Sequence, residues 1–343
     1  MKVLSWNGPE NIELENHPLP QPKEEEVLIQ VEVVGICGSE IEGYLGHNSL
    51  RKPPLIMGHE FSGIVAETGS NVADIKKGEK VVVNPLIGCG NCRSCQRGLE
   101  NICTKREIIG IHRQGAFAEF VVVPAKNIHV LSDDFNLYQA ALAEPLACAY
   151  RAVKRAFDAG NNESVFIYGA GTIGLLCGLV AKHLGAQHII MADINEERLE
   201  TANRIGLIYT LNPSQGTVDA RIREVTNQNG IDMVIDAVGF DSTRKQAERI
   251  INPGGVIMNI GLGVDESQLT VNSMIRNEIT LLGSFCYTKN DFLEAVNLLK
   301  EGIITHEGWT EVRTMEEGND AFLDLVNGKV DNGKIFIKID DGK

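Results

Sequence analysis

The 343-residue sequence has no excess of basic charge: 32 Lys and Arg stand against 46 Asp and Glu, for a formal net charge of −14. General nucleic-acid binding needs a Lys- and Arg-rich face to neutralise phosphates, so no nucleic-acid partner is expected. One small anionic cofactor stays possible, because that depends on a local site rather than on net charge. The sequence also lacks an apolar run of membrane-spanning length. Its longest uncharged apolar stretch, residues 165–181, holds four glycines and falls short of the roughly 20 residues of a spanning helix. The first ten residues, Met1-Lys2-Val3-Leu4-Ser5-Trp6-Asn7-Gly8-Pro9-Glu10, carry no apolar run of the secretory kind. No membrane partner and a cytoplasmic location are expected. Proline is sparse, at 11 residues, and there is no tandem repeat or low-complexity tract. The 35 glycines therefore point to tight turns and close backbone approaches rather than to a collagen or a linker.

The length suits about two domains. Residues 1–130 read as mostly β: 26–34, 63–67, 80–84 and 118–123 are short β-branched runs punctuated by glycine and proline. Residues 138–157 are alanine-rich with helical spacing, and Pro145 predicts a break or bend within them. Strands and helices then alternate. Residues 165–168, 188–192, 208–211, 233–237, 256–260 and 279–282 read as strands, and 172–184, 196–205, 218–227 and 242–251 as helices. Such alternation predicts a parallel sheet covered by helices on both faces. After it come a helix at 291–300 and a short last strand at 334–339.

Gly169-Ala170-Gly171-Thr172-Ile173-Gly174 is a G-x-G-x-x-G placed between a strand and a helix. Gly169 permits the tight turn, Gly171 lets a pyrophosphate approach the backbone, and Gly174 lets helix pack on strand. The free N–H groups of the helix start then face the anion. An acid to bind a ribose diol is expected at the end of the second strand, and Asp193 stands there. Its carboxylate repels a 2′-phosphate, which predicts NAD rather than NADP. The plainer alternative is a structural turn with a helix-capping Asp193, which the strand–turn–helix context disfavours.

Eight cysteines in a chain expected to be cytoplasmic suggest metal or redox chemistry before disulfides. Cys89, Cys92, Cys95 and Cys103 are spaced C-x2-C-x2-C-x7-C. Four thiolates in one short loop make a closed tetrahedral zinc site with no position left for substrate. An iron–sulfur cluster takes four cysteines as well, but Asn91, Arg93, Ser94, Gln96 and Arg97 make the lobe polar, which favours zinc. Cys177 reads as packed core.

Gly35-Ile36-Cys37-Gly38-Ser39, Gly58-His59-Glu60, the four-cysteine lobe, residues 114–120 (QGAFAEF), Glu144-Pro145-Leu146-Ala147 and the glycine turn follow one another in a fixed order. Together they resemble the zinc-dependent medium-chain dehydrogenase family, and within it the sorbitol (polyol) and threonine dehydrogenase branch. The resemblance covers essentially the whole chain. It implies a GroES-like β-rich catalytic domain (1–147 and 283–343) around an inserted Rossmann domain with a doubly wound parallel sheet (148–282). It also implies two zincs per chain, NAD, and a homodimer or homotetramer.

Residue by residue, the resemblance makes Cys37 and His59 ligands of a catalytic zinc and Glu60 the adjacent acid that binds zinc in polyol dehydrogenases. Glu144 matches a position where polyol-type enzymes hold glutamate, binding zinc directly or through water. Ser39 matches the hydroxyl that receives the substrate proton. Ile173, Asp193, Arg198, Ile260, Gly261, Leu262 and Tyr287 match NAD contacts. Two departures stand out. Glu42 replaces a frequent relay histidine, so the proton leaves through Glu42, through cofactor ribose and water, or through His47. Cys286 replaces the arginine that helps sorbitol enzymes order a polyol.

The implied reaction is zinc-assisted hydride transfer between NAD and a secondary hydroxyl of a polyol, a sugar alcohol, or a phosphate or acid derivative. A threonine-type amino-alcohol dehydrogenase is the alternative. A catalytically silent relative fits less well, since Cys37, Ser39, His59, Glu60 and Glu144 are all retained. Tyr44, His47, Asn48 and Arg51 are loop candidates for the substrate pocket.

Overall fold

The protein is described by a computed structural model over residues 1–339. It divides into two units. The first comprises Met1–Glu144, Thr288–Val330 and the chain from Lys334; the second comprises Pro145–Tyr287 and Asp331–Gly333.

The first unit is built on a seven-stranded sheet. In hydrogen-bonded order it runs Ile128–Val130, Lys80–Val83, Glu60–Thr68, Glu26–Gly35, Lys334–Lys338, Thr310–Thr314, with Phe120–Pro124 also pairing with Glu26–Gly35. The valine-rich strand Glu26–Gly35 is buried at most positions, as β-branched residues enclosed on two faces should be. Two antiparallel pairings end on Gly35: it faces Glu60 on one side and Phe336 on the other. Beside them Val34 is paired with Phe61 and Ile337, and all three are buried. Full burial of each such side chain contributes about 1.5–3 kcal/mol, and this packing fixes where three chain segments meet. A separate lobe pairs Leu86–Ile87 with Glu107–Ile108 and carries the short helix Arg93–Gln96.

The second unit is a six-stranded parallel sheet in the order Tyr209–Leu211, His188–Ala192, Ser164–Tyr168, Ile231–Asp236, Ile251–Asn259, Thr280–Gly283. Successive strands are added outward in both directions from Ser164–Tyr168, which is the doubly wound order of a dinucleotide-binding sheet. Its core includes Phe166, Ile190, Val234 and Ile257.

Several elements differ from the sequence reading. The break in the alanine-rich stretch lies before Pro145, between helices Leu137–Ala140 and Ala143–Phe157. Pro145 sits in the first turn of the second helix, where its missing N–H has no intrahelical acceptor to lose. The strand expected from Val256 begins at Ile251 and runs through Pro253-Gly254-Gly255, with a register shift that absorbs them. Helix Gly38–Tyr44, with two glycines in seven residues, has no helical signature of its own.

Candidate zinc centres and cofactor site

The four-cysteine lobe is compact enough for one ion. The sulfurs of Cys89, Cys92, Cys95 and Cys103 all lie within 4.8 Å of one another. Sγ–Sγ separations are 3.9 Å for Cys89 and Cys95 and 3.8 Å for Cys92 and Cys103. A tetrahedron with zinc–sulfur bonds of about 2.3 Å has edges of about 3.8 Å, so the donor set fits zinc. Cys92 caps helix Arg93–Gln96, its sulfur accepting from the Cys95 backbone N–H, and Cys103 accepts from Lys105 N–H. Backbone N–H groups of Asn91 and Cys92 lower the Cys89 thiol to about 6, toward the thiolate a metal needs. None of the eight cysteines is in a disulfide.

The second centre forms where the sheet pairings converge on Gly35. Cys37 leaves the end of strand Glu26–Gly35 and caps helix Gly38–Tyr44, while Glu60 opens the neighbouring antiparallel strand directly after His59. One ligand atom from each of Cys37, His59 and Glu60 falls within 4.8 Å of the others. His59 and Glu60 are buried, at 5% and 1% exposure.

Two residues outside the expected ligand set hold this centre. Glu40, fully buried at the third position of helix Gly38–Tyr44, accepts from the Cys37 and Gly58 N–H groups at 2.9 and 2.7 Å. The same carboxylate lies 2.9 Å from His59 Nδ1. A carboxylate accepts only, so Nδ1 carries the hydrogen and Nε2 keeps its lone pair for a metal. Burial works against charge on both partners. The charges of Glu40 and Cys37 and the bonds to them nevertheless hold the His59 imidazole well up, and His59 with Arg51 and Cys37 N–H hold the Glu40 carboxyl down.

Lys334, 2% exposed, donates to Glu60 Oε2 at 2.5 Å and to the Ile36 carbonyl at 3.0 Å. Gly35 makes this possible: a Cβ there would lie 2.4 Å from Glu60 Oε2. Glu60 Oε1 is buried with no hydrogen-bond partner among the described residues. A buried carboxylate oxygen without a partner costs free energy unless something positive meets it, so the group of Cys37, His59 and Glu60 fits a zinc ion. Glu144, in the first turn of helix Ala143–Phe157, is buried and stands outside that group of three. Ser39 is part-exposed and accepts a hydrogen bond from Arg51 at 3.3 Å. Glu42 and His47 form an exposed pair at 3.2 Å.

In the second unit the glycine turn follows strand Ser164–Tyr168 directly. Gly169 has φ +95°, the conformation only glycine takes without strain. A Cβ on Gly174 would lie 1.8 Å from the Gly169 carbonyl oxygen, whereas one on Gly171 would meet nothing within 4 Å. That open space at the start of helix Thr172–His183, a twelve-residue helix, fits a pyrophosphate. Asp193 turns back on the turn, accepting from Ala170 N–H at 2.7 Å and from Asn195 N–H at 2.9 Å. Arg198 lies in the first turn of the helix capped by Asn195. Ile173 is half-buried beside Gly174. Ile260 and Gly261 leave the sheet together, both N–H groups donating to the Asp236 carbonyl, and Leu262 beyond them is exposed. Tyr287 is buried.

Residues 23–133 match the alcohol dehydrogenase GroES-like domain and residues 172–301 match the zinc-binding dehydrogenase domain. The chain is 33% identical to a D-xylulose reductase of Aspergillus oryzae, over 94% of this chain and 92% of that protein. It is 36% identical to an L-galactonate-5-dehydrogenase of Escherichia coli, over 89% of each. The structure of a zinc-binding dehydrogenase from Sinorhizobium meliloti bound to NADP superposes with a TM-score of 0.91 at 30% identity, over 98% of both chains. With two donor sets that fit zinc and a strand–glycine-turn–helix that fits a dinucleotide, the chain belongs to the zinc-dependent medium-chain dehydrogenases.

Proposed function

We propose that the protein oxidises a secondary hydroxyl of a polyol, a sugar alcohol, or an acid or phosphate derivative of one, with NAD, and reduces the matching ketone in reverse. The observation that carries this reading is Glu60, grouped with Cys37 and His59 and holding one buried oxygen with no hydrogen-bond partner among the described residues. A centre with a carboxylate in its donor set is more polar than a purely Cys and His one and suits a substrate rich in hydroxyls. The names of the two relatives, a D-xylulose reductase and an L-galactonate-5-dehydrogenase, point to the same class.

Zinc at Cys37, His59 and Glu60 would lower the pKa of a substrate hydroxyl, and NAD would accept the hydride. Glu144 completes the set, directly or through water. Ser39 receives the substrate proton. Gly169, Gly171 and Gly174 let the pyrophosphate approach; Asp193 holds the adenosine ribose and selects NAD. Ile173, Arg198, Ile260, Gly261, Leu262 and Tyr287 supply the remaining cofactor contacts. The cysteine lobe holds a second, structural zinc.

The assembly proposed is a homodimer or homotetramer joined through the outer strand Thr280–Gly283. That strand ends the sheet, and the helix before it, Val271–Arg276, buries none of its residues, leaving Val271 62% and Ile275 67% exposed. A cytoplasmic location is supported by eight cysteines with no disulfide among them. No helix among the described residues is long and apolar enough to cross a membrane.

The test is NAD reduction across polyols, their phosphates, sugar acids and threonine, with a chelator arm and metal analysis. Chelator-sensitive oxidation of a polyol or derivative and about two zincs per chain are expected. Oxidation of threonine alone would overturn the substrate class.

A further inference from the structure

Arg51 lies 2% exposed beside the proposed proton acceptor, yet nothing in the metal or cofactor chemistry uses it. Its Nη2 donates to Ser39 Oγ at 3.3 Å, while Nε and Nη1 are buried with no hydrogen-bond partner among the described residues. Ser39 and Gly43 share one face of helix Gly38–Tyr44, being four residues apart. The missing side chain at Gly43 is what admits the arginine: a Cβ there would come within 2.5 Å of Arg51 Cδ. Burial disfavours the charge and holds the Arg51 pKa below its ordinary value, the nearby Glu40 carboxylate and Cys37 sulfur offsetting only part of that. A guanidinium buried with two unmet donors is costly, and among the described residues the side chain it hydrogen-bonds is Ser39.

The geometry points to Arg51 as the positioning residue that sets the direction of proton transfer through Ser39. This rests on Ser39 being the proton acceptor of the proposed oxidation. A serine hydroxyl has one hydrogen and two lone pairs, and a guanidinium donates but accepts nothing. The Arg51 bond therefore occupies one lone pair and bars the Ser39 hydrogen from pointing toward the arginine. One lone pair and one O–H remain, facing other directions. When substrate is oxidised, the substrate O–H bond breaks and its proton bonds to the free lone pair. The original Ser39 O–H bond breaks in the same event, and that proton passes to a water molecule. The neighbouring cation disfavours a serine holding both protons, so gain and loss are coupled rather than sequential. Without Arg51 the hydroxyl rotates freely, and only a fraction of its orientations present a lone pair to the substrate.

The test is a double-mutant cycle on the zinc-loaded enzyme with Arg51→Met, Ser39→Ala and the double variant, read as kcat and KM for an alcohol that wild type oxidises. NADH binding by fluorescence and zinc content accompany each variant. Arg51→Met is expected to lower kcat on the order of 10- to 100-fold with KM little changed, leaving zinc content and NADH affinity at wild-type levels. In the Ser39→Ala background the same substitution is expected to lower kcat less than about threefold, because the two act as a unit. Equal losses in both backgrounds, or an unaffected kcat, would overturn the assignment. Arg51→Leu, which removes the donor as well, carries the same cycle should the methionine variant not fold. A wild type with no NAD-linked oxidation of any alcohol would instead defeat the proposed function, and is seen before the cycle begins.

Discussion

Glu40 Oε1 lies 2.9 Å from His59 Nδ1 and also accepts the Gly58 N–H at 2.7 Å, so one buried oxygen ties a helix to the residue pair that opens the next strand. Its second oxygen caps Cys37 N–H at 2.9 Å. A single carboxylate thus orients both the cysteine and the histidine of the proposed zinc set. Outer partners of this kind typically hold a factor of about 10–100 in metal affinity. Glu40→Gln should weaken zinc binding at this centre by about that factor while the four-cysteine zinc stays in place, as measured by chelator competition. Unchanged affinity would reduce Glu40 to a helix cap.

The same pair sets a pH dependence for the metal-free protein. Despite burial, contacts with His59, Arg51 and Cys37 N–H hold the folded-state Glu40 pKa below its ordinary 4.5, so its stabilisation is complete above that value and is lost as pH falls through the folded one. Burial pushes the His59 pKa down but the Glu40 and Cys37 interactions push it well above its ordinary 6.5. That contribution is complete below 6.5 and is lost as pH rises through the folded value. Between 4.5 and 6.5 both are present, and the metal-free melting temperature should peak there. Zinc displaces the proton from the imidazole, so loading should move the optimum upward. Calorimetry with and without chelator checks this; one shared optimum would contradict it.

Lys334 and Glu60 make an ion pair with 1% side-chain exposure on each partner. Removing one partner of such a pair typically costs about 3–5 kcal/mol, because the other is left charged and buried. Lys334→Met should lose that much in metal-free denaturant unfolding, and less with zinc, which meets the same carboxylate. Adding Glu60→Gln should recover part of the metal-free loss. Equal losses with and without zinc would show that the carboxylate does not reach the metal.

Asp193 accepts from Ala170 N–H, and in the proposed cofactor site its negative charge stands at the ribose. Like charges placed together cost several kcal/mol. Asp193→Ser should therefore shift the ratio of kcat/KM for NAD over NADP by on the order of 100-fold toward NADP. Steady-state kinetics with both cofactors measures the ratio, and a constant ratio would remove Asp193 as the selector.

The parts that the sequence made legible are those whose signals are local. The four cysteines declare themselves by spacing alone, and the glycine turn by its place between Tyr168 and Thr172. Cys37 and His59 are weaker, because they sit on different elements and become a pair only through the antiparallel register of Gly35 with Glu60. Lys334 carries no sequence mark at all. A lysine at a strand start is ordinarily solvated, and its burial follows from the pairing of Phe336 with Gly35 and from the missing side chain there. Arg51 reads as a loop residue for the same reason: the space that buries it belongs to Gly43.

The two metal centres differ in how much of the chain each needs. Cys89 to Cys103 closes within one short lobe, so its donor set is complete once that lobe has folded. The proposed catalytic centre is balanced by Lys334, 274 residues beyond Glu60. Until that lysine arrives, the Glu60 carboxylate lacks its anchor. The proposed structural site is thus a local property of one lobe, and the proposed catalytic site depends on strands far apart in the chain.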